Sequence, residues 1–216
     1  TGRLENAVCL GHRDVPGTRR TRVVAGSGLT FLECSAEAAA AAAARPEPDL
    51  LFEDWHAAAY EGWAAEGAAF GSGPLKKAEL PSYQGDVGGD TERVANSHAA
   101  APGGDVAAKD NATGRLTSRA FTVSRDYIRF WIGGGSHKGK TCLNLLVDGK
   151  AVRSATGQDN NRMSQQSFAV GEFKGREARL EIVDEQAGAW GNVGVGRIVF
   201  TDQPTAEGPL EELSDN

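Results

Sequence analysis

The chain has 216 residues, with 23 Lys+Arg against 29 Asp+Glu and a formal net charge of −6. That length can bury one sizeable core, and the acidic balance lacks the basic face of a nucleic-acid reader. Mean hydropathy is −0.38, and the longest apolar run, Ala38–Ala44, falls far short of the roughly 20 apolar residues of a membrane-spanning helix. Gly (28) and Pro (8) together make about 17% of the chain, against a norm near 12%, which favours many turns and short strands. A single Met and a first residue of Thr1 point to a fragment of a larger parent.

Taken in chain order, Thr1–Glu37 reads as β structure. Leu4, Val8 and Leu10 share one parity, and Arg22-Val23-Val24, Ala25-Gly26-Ser27-Gly28 and Leu29–Leu32 read as a hairpin around a Gly-containing turn. So few strands are marginal alone, so this zone is expected to be the edge of a neighbouring domain. Its Cys9 and Cys34 could be bridged or could be buried thiols, as Cys142 could; no pair has the C-x-x-C spacing of a zinc or redox site. Residues 38–49 combine seven Ala with Arg45-Pro46-Glu47-Pro48 and read as a linker with at most one helical turn.

Residues 50–204 form the main domain. Strands are expected at Leu50–Trp55, Arg115–Ser118, Ala120–Val123, Tyr127–Ile132, Thr141–Val147, Ala151–Thr156, Ser167–Val170, Ala178–Val183 and Val195–Thr201. Asp148-Gly149 between two apolar runs is a two-residue hairpin signal, because a type I′ turn needs positive φ at both positions. No amphipathic segment reaches helix length. The pattern predicts an all-β, antiparallel sandwich or barrel. Gly71–Asp110 reads as one long irregular loop, and 205–216 as an acidic, fraying tail.

Gly134-Gly135-Ser136-His137-Lys138-Gly139-Lys140-Thr141 matches the spacing of a phosphate-binding loop, but that chemistry needs a helix after the loop and Cys142–Val147 reads as a strand. It is therefore expected to be a flexible hairpin loop. The four His form no close ligand pair. Trp131, in an apolar strand, is expected in the core; Trp55 and Trp63 are ambiguous; Trp190, in Gly188-Ala189-Trp190-Gly191-Asn192, could pack its loop or stack on a sugar. Glu181 and Asp184 read as solvated charges. Glu53, Asp54 and Asp202, at the end of the first strand and just beyond the last, could hold a structural Ca²⁺ if those ends are adjacent.

Asp49–Trp55, Tyr60-Glu61-Gly62-Trp63 and Ala69–Pro74 resemble the start of an accessory β-sandwich module found in bacterial family 32 glycoside hydrolases and in planctomycete multidomain proteins. The likeness continues through Ala112–Ser118, Tyr127–Val147, Asp148-Gly149-Lys150 and Ala178–Asp184, covering about Asp49 to Asp202. It implies a galactose-binding-like jelly roll, non-catalytic and in some cases carbohydrate-binding. That module usually carries Gly-Gly-Trp-Gly-His-Ile-Asn-Val-Asp near its end; here Asn192, Gly194 and Gly196 replace the His, Asn and Asp. Leu4–Leu10 through Leu32–Ser35 is similar to part of the N-terminal β-sandwich of family 116 glycoside hydrolases (glucosylceramidase type).

The resemblance and the polar, aromatic, Gly-rich loops imply a non-catalytic carbohydrate-binding or supporting module of a bacterial glycoside hydrolase. Binding would use His98, His137, Asn144, Asp184, Trp190 and Asn192, and the partner would be a glycan or the catalytic domain of the same polypeptide. The implied setting is secreted or periplasmic. Two alternatives stand beside this reading: a structural interdomain module without ligand, and an enzyme using Glu181 or Asp184.

Overall fold

The computed structural model describes residues 21–25, 30–34, 47–206, 208 and 210. The chain divides into two compact units, Thr1–Glu47 and Pro48–Asn216. In the first, β1 (Thr21–Ala25) and β2 (Thr30–Cys34) pair antiparallel, Thr21 opposite Cys34. The expected strand Leu4–Leu10, Cys9, the Ala run and most of the acidic tail lie outside the described residues.

The second unit is an antiparallel sandwich. Its strands are β3 (Leu50–Glu53), β4 (Trp63–Gly67), β5 (Leu75–Lys76), β6 (Arg93–Asn96), β7 (Gly114–Ser118), β8 (Phe121–Thr122), β9 (Tyr127–Gly134), β10 (Thr141–Val147), β11 (Lys150–Thr156), β12 (Asn160–Ala169), β13 (Glu177–Asp184) and β14 (Val193–Thr201). One sheet runs β12-β9-β14-β6-β5, with β3 also on β14. The other runs β11-β10-β13-β7-β4, with β8 also on β13. From β9 onward the chain crosses repeatedly between the sheets, which is the wrapping of a jelly roll.

Strand alternation explains the core. Ile128, Phe130 and Ile132 of β9, Leu143 and Leu145 of β10, and Leu180 and Ile182 of β13 all point inward and are fully buried. Truncating one of these to Ala would cost about 2–5 kcal/mol. The same parity puts Trp131 on the outer face of its sheet. It is half-buried against Val87, Val94 and Met163 rather than in the main core, contrary to expectation, because residue type had outweighed parity. Arg153 is buried and joins the sheets: its guanidinium donates to Ala169 O (2.9 Å) and Val152 O (2.8 Å) and pairs with Glu172.

Asp148 and Gly149 have φ of 51° and 74°, the two positive values a type I′ turn requires, between β10 and β11. Three expectations change. Residues 71–110 are not one irregular loop: they hold β5, β6, two 3₁₀ turns and two short helices, α1 (Ser97–Ala100) and α2 (Val106–Asp110). The segment 135–140 is not a hairpin loop but a crossover, since β9 and β10 belong to different sheets. The chain also remains docked past residue 204, with Leu210 N donating to Ser167 O at 2.6 Å. No helix among the described residues is long and apolar enough to cross a membrane.

Candidate functional site

Register gathers four connections at one end of the sandwich. Gly134 pairs with both Val193 and Asn160, Asp184 with both Thr141 and Gly114, and Gly194 with Asn96. Residues 97–113, 135–140, 157–159 and 185–192 therefore all leave from that end. Two of them, 97–113 and 185–192, together with the 3₁₀ turn that carries Tyr83 and the start of β12, line a cavity of about 260 Å³ that includes Tyr83, His98, Asn161, Trp190 and Asn192.

The rigid wall is built first. Asn96 caps α1 by accepting Ala99 N–H at 2.8 Å, and Asp105 caps α2 by accepting Ala108 N–H at 2.8 Å. Lys109 donates to Ala99 O and Ala101 O (3.1 and 2.8 Å), locking the two short helices together. This brings Asp110 to His98. The imidazole is 3% exposed, with Nδ1 2.6 Å from Asp110 Oδ1 and Nε2 2.9 Å from Tyr83 Oη. With its proton on Nδ1, the ring donates to Asp110 and accepts the Tyr83 hydroxyl proton. Tyr83 is 56% exposed, so the Asp110–His98–Tyr83 chain fixes a phenol at the cavity mouth.

The opposite wall is the loop 185–192. Gly188 N donates to Asp110 O and Gly191 N to Gly188 O (3.0 and 2.8 Å). A Cβ on Gly191 would lie 2.1 Å from Gln186 O, so only Gly fits there. This tight path holds Trp190 at φ 57°, and the residue is 36% exposed. His137 supports the loop from behind, Nε2 3.2 Å from Ala189 O, and Ser136 is held by Asp159 through N and Oγ (both 2.9 Å).

Of the six residues expected to bind ligand, His98, Trp190 and Asn192 line the cavity and His137 braces it. Asp184 does not reach it. β13 continues one residue further than expected, and its inward parity buries Asp184 completely; the expectation of a solvated charge is corrected accordingly. Burial pushes its carboxyl up to about 6, and the Asp110 charge adds to the shift. The Ser97 hydroxyl and the Gln186 backbone N–H oppose it, although neither carboxylate oxygen has a hydrogen bond of good geometry. Asn144 lies on the outer face of the other sheet, beside Glu181 (3.5 Å), and takes no part in the cavity. Glu181 is itself paired with Arg115 at 3.1 Å.

Tyr83, Asp110 and Asn161 were missed. Their segments carry little alternation; the capping residues Asn96 and Asp105 are the local signal that could have placed the two short helices. Cys142 is buried, and burial pushes its thiol up to about 11, a pKa far above that of a reactive thiolate.

The expected cation ligands do not assemble. β3 and β14 are antiparallel, with Glu53 opposite Ile198 and Leu50 opposite Phe200, so Asp202 sits at the start of β3, away from Glu53. Asp202 accepts from Arg125 (3.3 Å) and Asp126 N (3.1 Å). Among the described residues, Glu53 and Asp54 cluster instead with His56. Glu53 already accepts Trp63 Nε1 and Trp55 N (both 2.8 Å), and Asp54 takes the His56 ring at 2.8 Å.

No family model matches the chain. It is 30% identical over 160 residues to ecdE of Aspergillus rugulosus, a protein provisionally named a glycosyl hydrolase; the match covers 73% of this chain and 22% of that protein. The chain thus spans about a fifth of that relative. Among solved structures, it is similar to the K2 cleaved adhesin domain of Lys-gingipain (TM-score 0.44, 12% identity, 71% of this chain and 99% of that one). It is also similar to a family 29 carbohydrate-binding module (0.38, 11%, 73% and 90%) and to a Fischerella cyclase in its apo form (0.41, 16%, 74% and 92%). At these scores the likenesses carry no argument about ligand or activity.

Proposed function

We propose that the sandwich is a non-catalytic glycan-binding module of a larger glycoside hydrolase, with the ligand seated in the end cavity. One observation carries this reading: Trp190 and Tyr83 expose aromatic surface around a concave site that also offers Asn192, Asn161 and the His98-held phenol. Aromatic faces cover the apolar side of a sugar ring, and a few fixed polar groups set its orientation. The similarity to ecdE supports a setting in carbohydrate metabolism, and the resemblance to modules of family 32 and family 116 enzymes suggests the parent's class and an extracytoplasmic location. Replacement of the family's usual His, Asn and Asp by Asn192, Gly194 and Gly196 makes the aromatic walls, rather than a cluster of polar side chains, the main source of affinity.

Trp190→Ala should abolish glycan retention, measured by titration calorimetry against mono- and oligosaccharides, while leaving the melting temperature within a degree or two. Absence of binding by the wild-type chain to any glycan tested would favour the purely structural module instead.

A further inference from the structure

A second concavity lies on the outer face of the sheet that contains β9, and nothing in the end cavity accounts for it. Its volume is about 270 Å³, and its floor is drawn from the outward positions Arg129 and Trp131 of β9, Gln165 of β12, and Arg197 and Val199 of β14. Trp131 lies directly opposite Gln165 across the β9–β12 ladder. The indole packs against Met163 and Val87 and is partly exposed, lining the groove. Asp49 pairs with Arg129, and Asp90 lies 3.4 Å from Arg197, so the two cations are balanced at the groove's rims. Arg197 Nε is buried without a partner.

We infer that this groove is a second glycan subsite, which takes a neutral sugar stacked on Trp131. A charged ligand would have to displace one member of each rim pair. A neutral polyol can instead donate to the carboxylates and accept from the exposed guanidinium N–H groups without breaking either pair. The inference rests on the glycan reading of the end cavity, and it adds to that reading how long a ligand the module takes. Asn161, which lines the end cavity, and Gln165 both belong to β12. Asn160, the chain neighbour of Asn161, pairs with Gly134 of the adjacent β9 and Gln165 pairs with Trp131; Gly134 to Trp131 is three residues, or about 10 Å at the strand rise. In the chain, the segment 86–90 joins Gln84 of the end cavity to Asp90 of the groove, and it is held on β12 by Met163 N donating to Val87 O at 2.8 Å and by the Asp86–Arg162 pair. One linear oligosaccharide can span this interval and engage both tryptophans. Binding then gains from effective concentration rather than from a stronger contact.

The test uses the whole chain. Native gels cast with glucomannan, mixed-linkage β-glucan or arabinoxylan identify a retained polymer, and its hexasaccharide and disaccharide are then titrated. The hexasaccharide should bind at least about tenfold more tightly than the disaccharide. Gln165→Trp fills the groove while keeping the packing of Trp131, and Trp131→Ala removes the platform. Each should erase that tenfold advantage and leave disaccharide affinity unchanged; circular dichroism melts confirm that both variants fold. If both bind the hexasaccharide as the wild type does, the second subsite is overturned and the end cavity stands. If Gln165→Trp abolishes binding and Trp190→Ala does not, the groove stands and the end cavity is overturned. If no neutral polymer is retained, both fall.

Discussion

Two tryptophans of the sandwich hold the same unusual backbone conformation for opposite ends. Trp55 has φ 60° and Trp190 φ 57°, a region that bulky side chains rarely adopt. Trp55 is 2% exposed. Its indole donates to Gly196 O at 2.9 Å and meets Trp63 and Tyr60 at centroid distances of 5.2 and 5.9 Å. Its backbone strain is offset by burial and by a satisfied N–H at the corner after β3. Trp190 has no comparable burial. Its loop is strained by steric confinement at Gly191 and by the hydrogen bond from Gly188 to Asp110, and the residue is 36% exposed. Strain that packing does not offset is a mark of a working surface. The same φ is offset by packing at Trp55, and at Trp190, on the proposed reading, it serves presentation.

The largest expected effect separates the two. Trp55→Ala should destabilise the module by about 3–5 kcal/mol, because it opens a cavity in the aromatic corner and strips Gly196 O of its donor. Trp190→Ala should change stability by about 0.5 kcal/mol or less. Urea denaturation of the two variants measures the contrast; equal losses would erase it and make the Trp190 loop part of the core.

Beneath the Trp190 site the same comparison extends to charge. Asp184 is a buried carboxyl with a pKa of about 6, against an ordinary 3.8. Between about pH 4 and pH 6 the folded chain holds a proton there that the unfolded chain has lost. Stability is highest below that window, falls as pH rises through it, and is flat above it. The total fall is about 3 kcal/mol at roughly 1.36 kcal/mol per unit. Asp184→Asn should remove this slope and be more stable than wild type at pH 7, as read from denaturation midpoints at pH 4, 5, 6 and 7. A slope that persists in the variant would assign it to another group.

These contrasts also show what could be read before folding. Strands such as Tyr127–Gly134 and Glu177–Asp184 announce themselves by period-2 alternation, and Asp148-Gly149 by a turn that demands positive φ. The Trp190 loop was legible as a Gly-rich aromatic segment. Its partners were not. β4 (Trp-Ala-Ala-Glu-Gly) has weak strand propensity and an exposed edge, β6 spans four residues, and α1 and α2 are four and five residues long, so no periodicity develops. Tyr83 and Asp110 reach His98 through long-range packing, which local pattern does not encode. Trp131 failed because residue type was given more weight than strand parity, and Asp184 because the expected strand ended one residue short of it.

The smallest predicted effect tests whether the wall facing Trp190 is likewise presentation. Tyr83→Phe keeps the exposed ring and its edge contact with His98 (centroids 5.6 Å apart, planes at 89°) but removes the hydroxyl that His98 Nε2 accepts from. The buried imidazole nitrogen is then left without its donor, at a cost of about 1 kcal/mol in stability. The Asp110–His98 bond remains, so α1 and α2 stay in register. If Tyr83 serves the ligand, glycan affinity falls by more than stability does, because the lost phenol is the group whose position the buried chain fixes. If affinity is unchanged, the Asp110–His98–Tyr83 chain acts only to join α1, α2 and the 3₁₀ turn that carries Tyr83, and recognition at this end rests on Trp190 and its asparagine neighbours.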